Sequence, residues 1–184
     1  GTVVANGAPL QIQGGISITN ERLDLNGNGY NGTQGALQSV SGNNTWGPSG
    51  TTGLINLQTD ARINSDSGTL TLPATIGSSG NNALTVGGAG NTTISGNINT
   101  GSGSTTTVTK DGSGTLTLSS NNGYQGATNV TQGVVVAASN LALGAVTTGT
   151  DGTFVTSGAA LHLSGGITIG GEALSLNEIG RAHV

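Results

Sequence analysis

Few residues in this chain could do chemistry. Its eight carboxylates are Glu21, Asp24, Asp60, Asp66, Asp111, Asp151, Glu172 and Glu178. Carboxylates that meet in one site can run acid–base hydrolysis or hold a divalent cation, often beside Arg or Lys. Asp60 and Asp66 flank a short strand and are the pair to test, since adjacent coils could bring them together. Glu21 and Glu172 recur at a fixed offset, and a recurring charge at a strand entry reads as a solvated edge. The histidines are His162 and His183. His162 alternates with Leu161 and Leu163, which places it on the opposite, solvent face and not in a ligand set. Residues 27–32, Gly-Asn-Gly-Tyr-Asn-Gly, copy the glycine spacing of a dinucleotide loop, but no helix follows, so they read as a turn. Lys110 lies in no phosphate-binding loop, and no Gly-x-Ser-x-Gly elbow occurs. Calcium-binding rolls need Asp inside glycine-rich repeats, and here those segments carry Asn and Ser. The expectation is no catalytic, metal or cofactor-binding residue, no cofactor and no enzyme activity.

Two further patterns could recognise a surface. Tyr30, Trp46 and Tyr124 each follow an Asn/Gly-rich turn and share one kind of slot. Exposed, they would stack on glycans; packed at a corner, they would close the apolar edge, and packing is the expected role. Thr-x-Thr recurs at Thr69/Thr71, Thr105/Thr107/Thr109 and Thr115/Thr117. Binding to ice or another crystal requires those threonines in register on one flat outer face.

Composition bounds the elements that would position these groups. Charged residues are 7% and aromatics 2% of 184 residues, while Gly alone contributes 35. Alternating Val, Ile and Leu runs argue for order despite this polarity. A narrow interior accepts stacked aliphatic residues but few rings. The net charge is −4 with four Lys and Arg, so nucleic-acid binding is not expected. No apolar run approaches the length of a membrane-spanning helix. Cys is absent.

Candidate strands are residues 54–57, 69–72, 83–86, 91–95, 105–109, 115–119 and 128–130, and 134–136. Residues 47–53 read as an excursion, and 77–82 and 96–104 as loops. Alternation places Leu116, Leu118, Val130, Val134 and Val136 inward. Residues 110–144 run strand, corner, strand, corner, strand, as in one coil of a β-solenoid. Their Lys110, Gly112, Gly114, Thr-Leu-Thr-Leu-Ser run, Asn121, Tyr124, Gly126, Thr128, Val130, Gly133 and Leu143-Gly144 resemble the autotransporter-associated β-strand repeat. Gly123 and Val134 depart from its usual Thr and Leu without removing a turn or apolar position. The resemblance implies a passenger segment of a secreted bacterial surface protein, extracellular and outer-membrane-associated. It further implies an outer-membrane β-barrel translocator as partner and no catalytic activity.

A long repeat organises the rest. Residues 1–26 and 152–177 align without a gap, including Gly14/Gly165, Ile16/Ile167, Glu21/Glu172 and Leu23/Leu174. The division expected is one full long repeat over 1–151, the start of the next over 152–177, and a non-native, adapter-derived tail over 178–184. The chain reads as an internal fragment whose partners are neighbouring repeats. The fold predicted is all-β: a right-handed parallel β-helix. Equivalent residues should occupy equivalent positions several coils apart. An antiparallel sandwich is the alternative fold. The function read is a structural stalk that presents other domains and assists export. The alternatives are an adhesin binding host or matrix glycans and, further off, a polysaccharide-active enzyme.

Overall fold

The structure, a computed structural model, describes residues 1–47, 50–78, 80–101, 105–146 and 151–177, the side chains of 50–53 excepted. Short alternating runs punctuated by Gly and Asn turn before they can grow long. Each lies beside the run one coil away, and every strand pair among the described residues is parallel. The result is a parallel β-solenoid of about seven turns, with no α-helix among the described residues. Parallel pairing excludes the sandwich.

Each turn has three faces. The first holds Thr2–Val4, Leu23–Gly27, the start of Gly50–Ser65, and Ala74–Ser78, then a bridge from Ile76 to Ile98. Beyond it, Gly123 N donates to Ile98 O and Ala145 N to Tyr124 O, so the face continues without regular strands. The second face runs from Leu10–Gln13 through Leu37–Ser41, the end of Gly50–Ser65, Leu84–Gly87, Val108–Lys110, Thr128–Val130 and Thr153–Val155 to Leu174–Leu176. The third stacks Ser17–Ile18, Asn44–Trp46, Thr69–Leu72, Asn91–Ile94, Thr115–Leu118, Val134–Ala137 and Ala160–Leu163.

The core is a set of one-residue columns along the axis. One column is Leu10, Leu37, Ile63, Val86, Lys110, Val130, Val155 and Leu176. Another is Asn44, Leu70, Thr92, Leu116, Val135 and Leu161. Stacking at strand spacing leaves width for one aliphatic side chain per rung, which accounts for the scarcity of rings.

Several expectations need correction. Leu116, Leu118 and Val130 are fully buried, but Val135 and Ala137 take the inward places, not Val134 and Val136. Three successive valines carry no alternation, so the rung above decides: Leu116 pairs Val135 and Leu118 pairs Ala137. Gly77 and Ser78 extend the strand Ala74–Ser78, and Ile98 is a fully buried rung within the expected 96–104 loop. The excursion at 47–53 is partly a bulge: Gly50 opposes Ala74 and Leu54 opposes Thr75, so residues 51–53 face no partner. The expected tail at 178–184, and residues 48–49, 79 and 102–104 of the expected loops, lie outside the described residues.

The long repeat holds locally but not globally. Thr2 pairs Leu23, and Thr153 pairs Leu174, so both copies close their coil in the same register. Yet Thr2–Val4 lies on the first face and Thr153–Val155 on the second; Leu10–Gln13 lies on the second and Ala160–Leu163 on the third. Val155, the copy of Val4, stands six rungs below Leu10. The repeat therefore advances six turns and a third. Coil length explains this: Leu116 to Val135 is 19 residues, whereas Leu23 to Ile55 is 32 (135 − 116 and 55 − 23). A fixed residue offset then need not close whole turns.

Candidate functional site

The polar side chains of this chain mostly bind one coil to the next. Asn44 is fully buried; its Oδ1 accepts from Gly15 N at 3.0 Å and Ile16 N at 2.9 Å, and its Nδ2 donates to Ser39 Oγ and Ser41 O. Asn122 does the same work on another face, accepting from Ile98 N at 2.9 Å and donating to Ala142 O at 2.7 Å. Both stand second in an Asn-Asn pair two residues before an aromatic. Exposed Asn residues stitch as well: Asn43 Oδ1 accepts from Thr69 N, and Asn91 Oδ1 from Thr115 N.

The aromatic slot divides. Trp46 is buried and its Nε1 donates to Glu21 O at 3.2 Å. Tyr124 is fully buried; its hydroxyl lies 2.7 Å from Thr128 Oγ1, which donates to Leu143 O. Burial holds the Tyr124 phenol well above its usual range. Tyr30 leaves this pattern: it sits in the 3-10 turn Tyr30–Gly32 and is 57% exposed. The sequence echo failed there because residues 28–35 form a closed loop outside the coil, with Gly35 N donating to Asn28 O.

Lys110 occupies an inward rung and is 2% exposed. Its Nζ donates to Asp111 O and Gly112 O, both at 2.7 Å, and to Gln132 O at 3.4 Å. Burial pushes its pKa down to about 8, opposed by the Asp111 charge and aided by that of Arg62. Arg62 reaches across two coils to Asp111 through a bidentate pair, both contacts at 2.7 Å. Gly87 lies beneath; a Cβ there would overlap the Arg62 guanidinium and the Asp111 carboxylate.

The carboxylates do not converge. Asp60 and Asp66 belong to one stretch of chain, not to adjacent coils: Asp60 accepts from Ala83 N, and Asp66 from Gln38 and Asn64. Asp24 accepts from Arg22, Asn56 and Gln58; burial raises its pKa, but those bonds outweigh burial and hold it below the usual range. Glu21 and Glu172 are more than a solvated edge. Each accepts its own copy's threonine hydroxyl, Thr2 at 2.9 Å and Thr153 at 2.7 Å. Burial raises the Glu172 pKa against the Thr153 bond. Among the described residues no three His, Cys, Asp or Glu are placed to hold a metal. His162 is exposed on the third face, in register with Val136. Thr45, Thr71, Thr93 and Thr117 do form an outward column on that face, but Asn91 interrupts the Thr69–Thr115 column and Thr109 lies on the second face. The crystal-binding condition is met on only part of one face.

These features define a β-solenoid whose buried polar groups mostly serve its own stacking. Residues 108–137 match the family model of the passenger-associated-transport-repeat, in agreement with the resemblance read from the sequence. No curated protein and no solved structure matches the chain. The repeat and the solenoid together fit a passenger segment of an autotransporter, a secreted or surface-exposed class. The matched 30 residues (137 − 108 + 1) contain Lys110, Asn122, Tyr124 and Thr128, all buried.

Proposed function

We propose that this chain is a structural stalk in a secreted bacterial surface protein. It extends and presents other parts of that protein away from the cell. The observation that carries this reading is the fate of the matched segment: Asn122 accepts from Ile98 N and donates to Ala142 O on the coils to either side, Thr128 donates to Leu143 O, and Lys110 and Tyr124 spend their polar atoms on buried carbonyls and the Thr128 hydroxyl. A repeat-defining residue that binds its neighbour serves the array. Each coil also offers a ready edge to the next, so folding outside the cell opposes backsliding through an outer-membrane β-barrel translocator.

The test fuses the chain between an N-terminal epitope and an outer-membrane β-barrel translocator. Epitope display is read by antibody on intact cells. Gly114→Ala puts a Cβ onto the Gly90 carbonyl oxygen one coil away, whereas Gly80→Ala meets open space. Gly114→Ala should lower display several-fold and Gly80→Ala should leave it unchanged. Equal display of both, with Gly114→Ala shown to be unfolded, would remove the export role.

A further inference from the structure

The corner between the first and second faces carries a feature the stalk does not use. Four successive coils leave a depression of about 590 Å³ there, within the range of small-molecule sites of roughly 300–1,000 Å³. Asn6, Asn28, Thr59, Asp60 and Asn82 line it, together with three glycines. Thr59 and Asn82 are engaged: Thr59 Oγ1 accepts from Gly27 N and Asn82 donates to Leu57 O. Asn6, Asn28 and Asp60 are exposed. Both hydrogen-bond donors and acceptors therefore face the space.

The 28–35 loop forms one rim. Its base is closed by the Gly35 N to Asn28 O bond at 3.0 Å, and a Cβ at Gly29 would overlap the Gly35 carbonyl. Asn31 is held at φ 54, the one non-glycine residue with positive φ among those described. The loop is thus tightly specified, although no core packing requires it. Asn28, Gly29 and Gly32 line the depression, and Tyr30 stands between them on the same loop. Clustered amides and a carboxylate suit a hydroxylated edge, and an exposed ring on the rim loop, outside the lining itself, is available to an apolar face of the same ligand.

Charge narrows the ligand. Asp60 is the one charged residue in the lining. Arg22 and Arg62 are paired with Asp24 and Asp111, so neither is free to meet an anion. We propose that the depression and the 28–35 loop form a subsite for a neutral hexopyranose unit of a glycan. Its hydroxyls meet Asn6, Asn28 and Asp60, and its C–H face meets Tyr30. This goes beyond the stalk reading, which needs no ligand and survives if the subsite fails.

The test is amide shift mapping on the full chain. The probes are the methyl glycosides of glucose, galactose and mannose, with sodium glucuronate as the acidic counterpart. At least one neutral glycoside should give saturable shifts at residue 6, residues 27–32, residues 59–60 and residue 82 at millimolar concentration. Glucuronate should not, until Asp60→Asn removes the repulsion. Tyr30→Ala should weaken binding about tenfold with an unchanged melting transition. The proposal is overturned if no neutral glycoside shifts these amides, if the shifts map elsewhere, or if a folded Tyr30→Ala binds as the parent does.

Discussion

Raising the pH above neutral should stabilise this protein through one side chain, Lys110. In the folded chain its pKa falls from 10.5 to about 8, because the ammonium is buried in an otherwise apolar column. Between those two values the unfolded chain binds more protons than the native one, so stability rises with pH across that window. The gain is complete above the unfolded value and absent below the folded one. A fall from 10.5 to about 8 corresponds to roughly 3 kcal/mol. That figure is a ceiling, because the carbonyls of Asp111, Gly112 and Gln132 stabilise the protonated form. Tyr124 opposes the trend at the alkaline end: its raised phenol pKa makes the native state the poorer acid, and stability falls once unfolded tyrosine ionises. Comparison with Lys110→Met cancels that contribution. Urea denaturation of both proteins should show the parent gaining on the variant by about 1–3 kcal/mol between pH 8 and 10.5. A difference that stays flat, or falls, would mean that the carbonyl cage outweighs burial, and would refute the assignment.

Two other substitutions probe the columns. Leu116→Ala removes a fully buried rung between Thr92 and Val135 and should cost about 2–5 kcal/mol in the same assay. Thr92 is an inward rung between Leu70 and Leu116 whose hydroxyl has no partner among the described residues, so Thr92→Val should stabilise by about 1 kcal/mol; a loss of stability would reveal a partner for that hydroxyl.

Much of the coil was legible because its signals are local. Thr115–Leu118 alternates cleanly, and its leucines face inward as the alternation requires. The Asn-Asn pairs before Trp46 and Tyr124 do the same work, Asn44 and Asn122 each binding the backbone of a neighbouring coil, but at different corners. What was illegible depends on neighbours or on counting. The register of Val134–Ala137 is set by Leu116 and Leu118, not by its own valines. The burial of Lys110 depends on carbonyls that only the folded coil brings together. Tyr30 shares its turn with Tyr124 but belongs to a loop whose closure at Gly35 leaves no mark in the motif. Asp60 and Asp66 were expected to meet across adjacent coils, but they flank a single strand segment of one coil, so stacking does not bring them together.

The third of a turn left over by the long repeat turns a question of length into one of direction. In a chain that reiterates this unit, each copy arrives about 30 Å further along the axis, taking roughly 4.8 Å per turn. Each is also rotated by one face. A patch such as the 28–35 loop would then wind around the rod like the treads of a spiral stair, returning to the same side only at every third copy. Such a rod could not present one sticky strip to a flat target. It would instead meet partners from every side at once, and two neighbouring rods could be joined at staggered heights without either one turning.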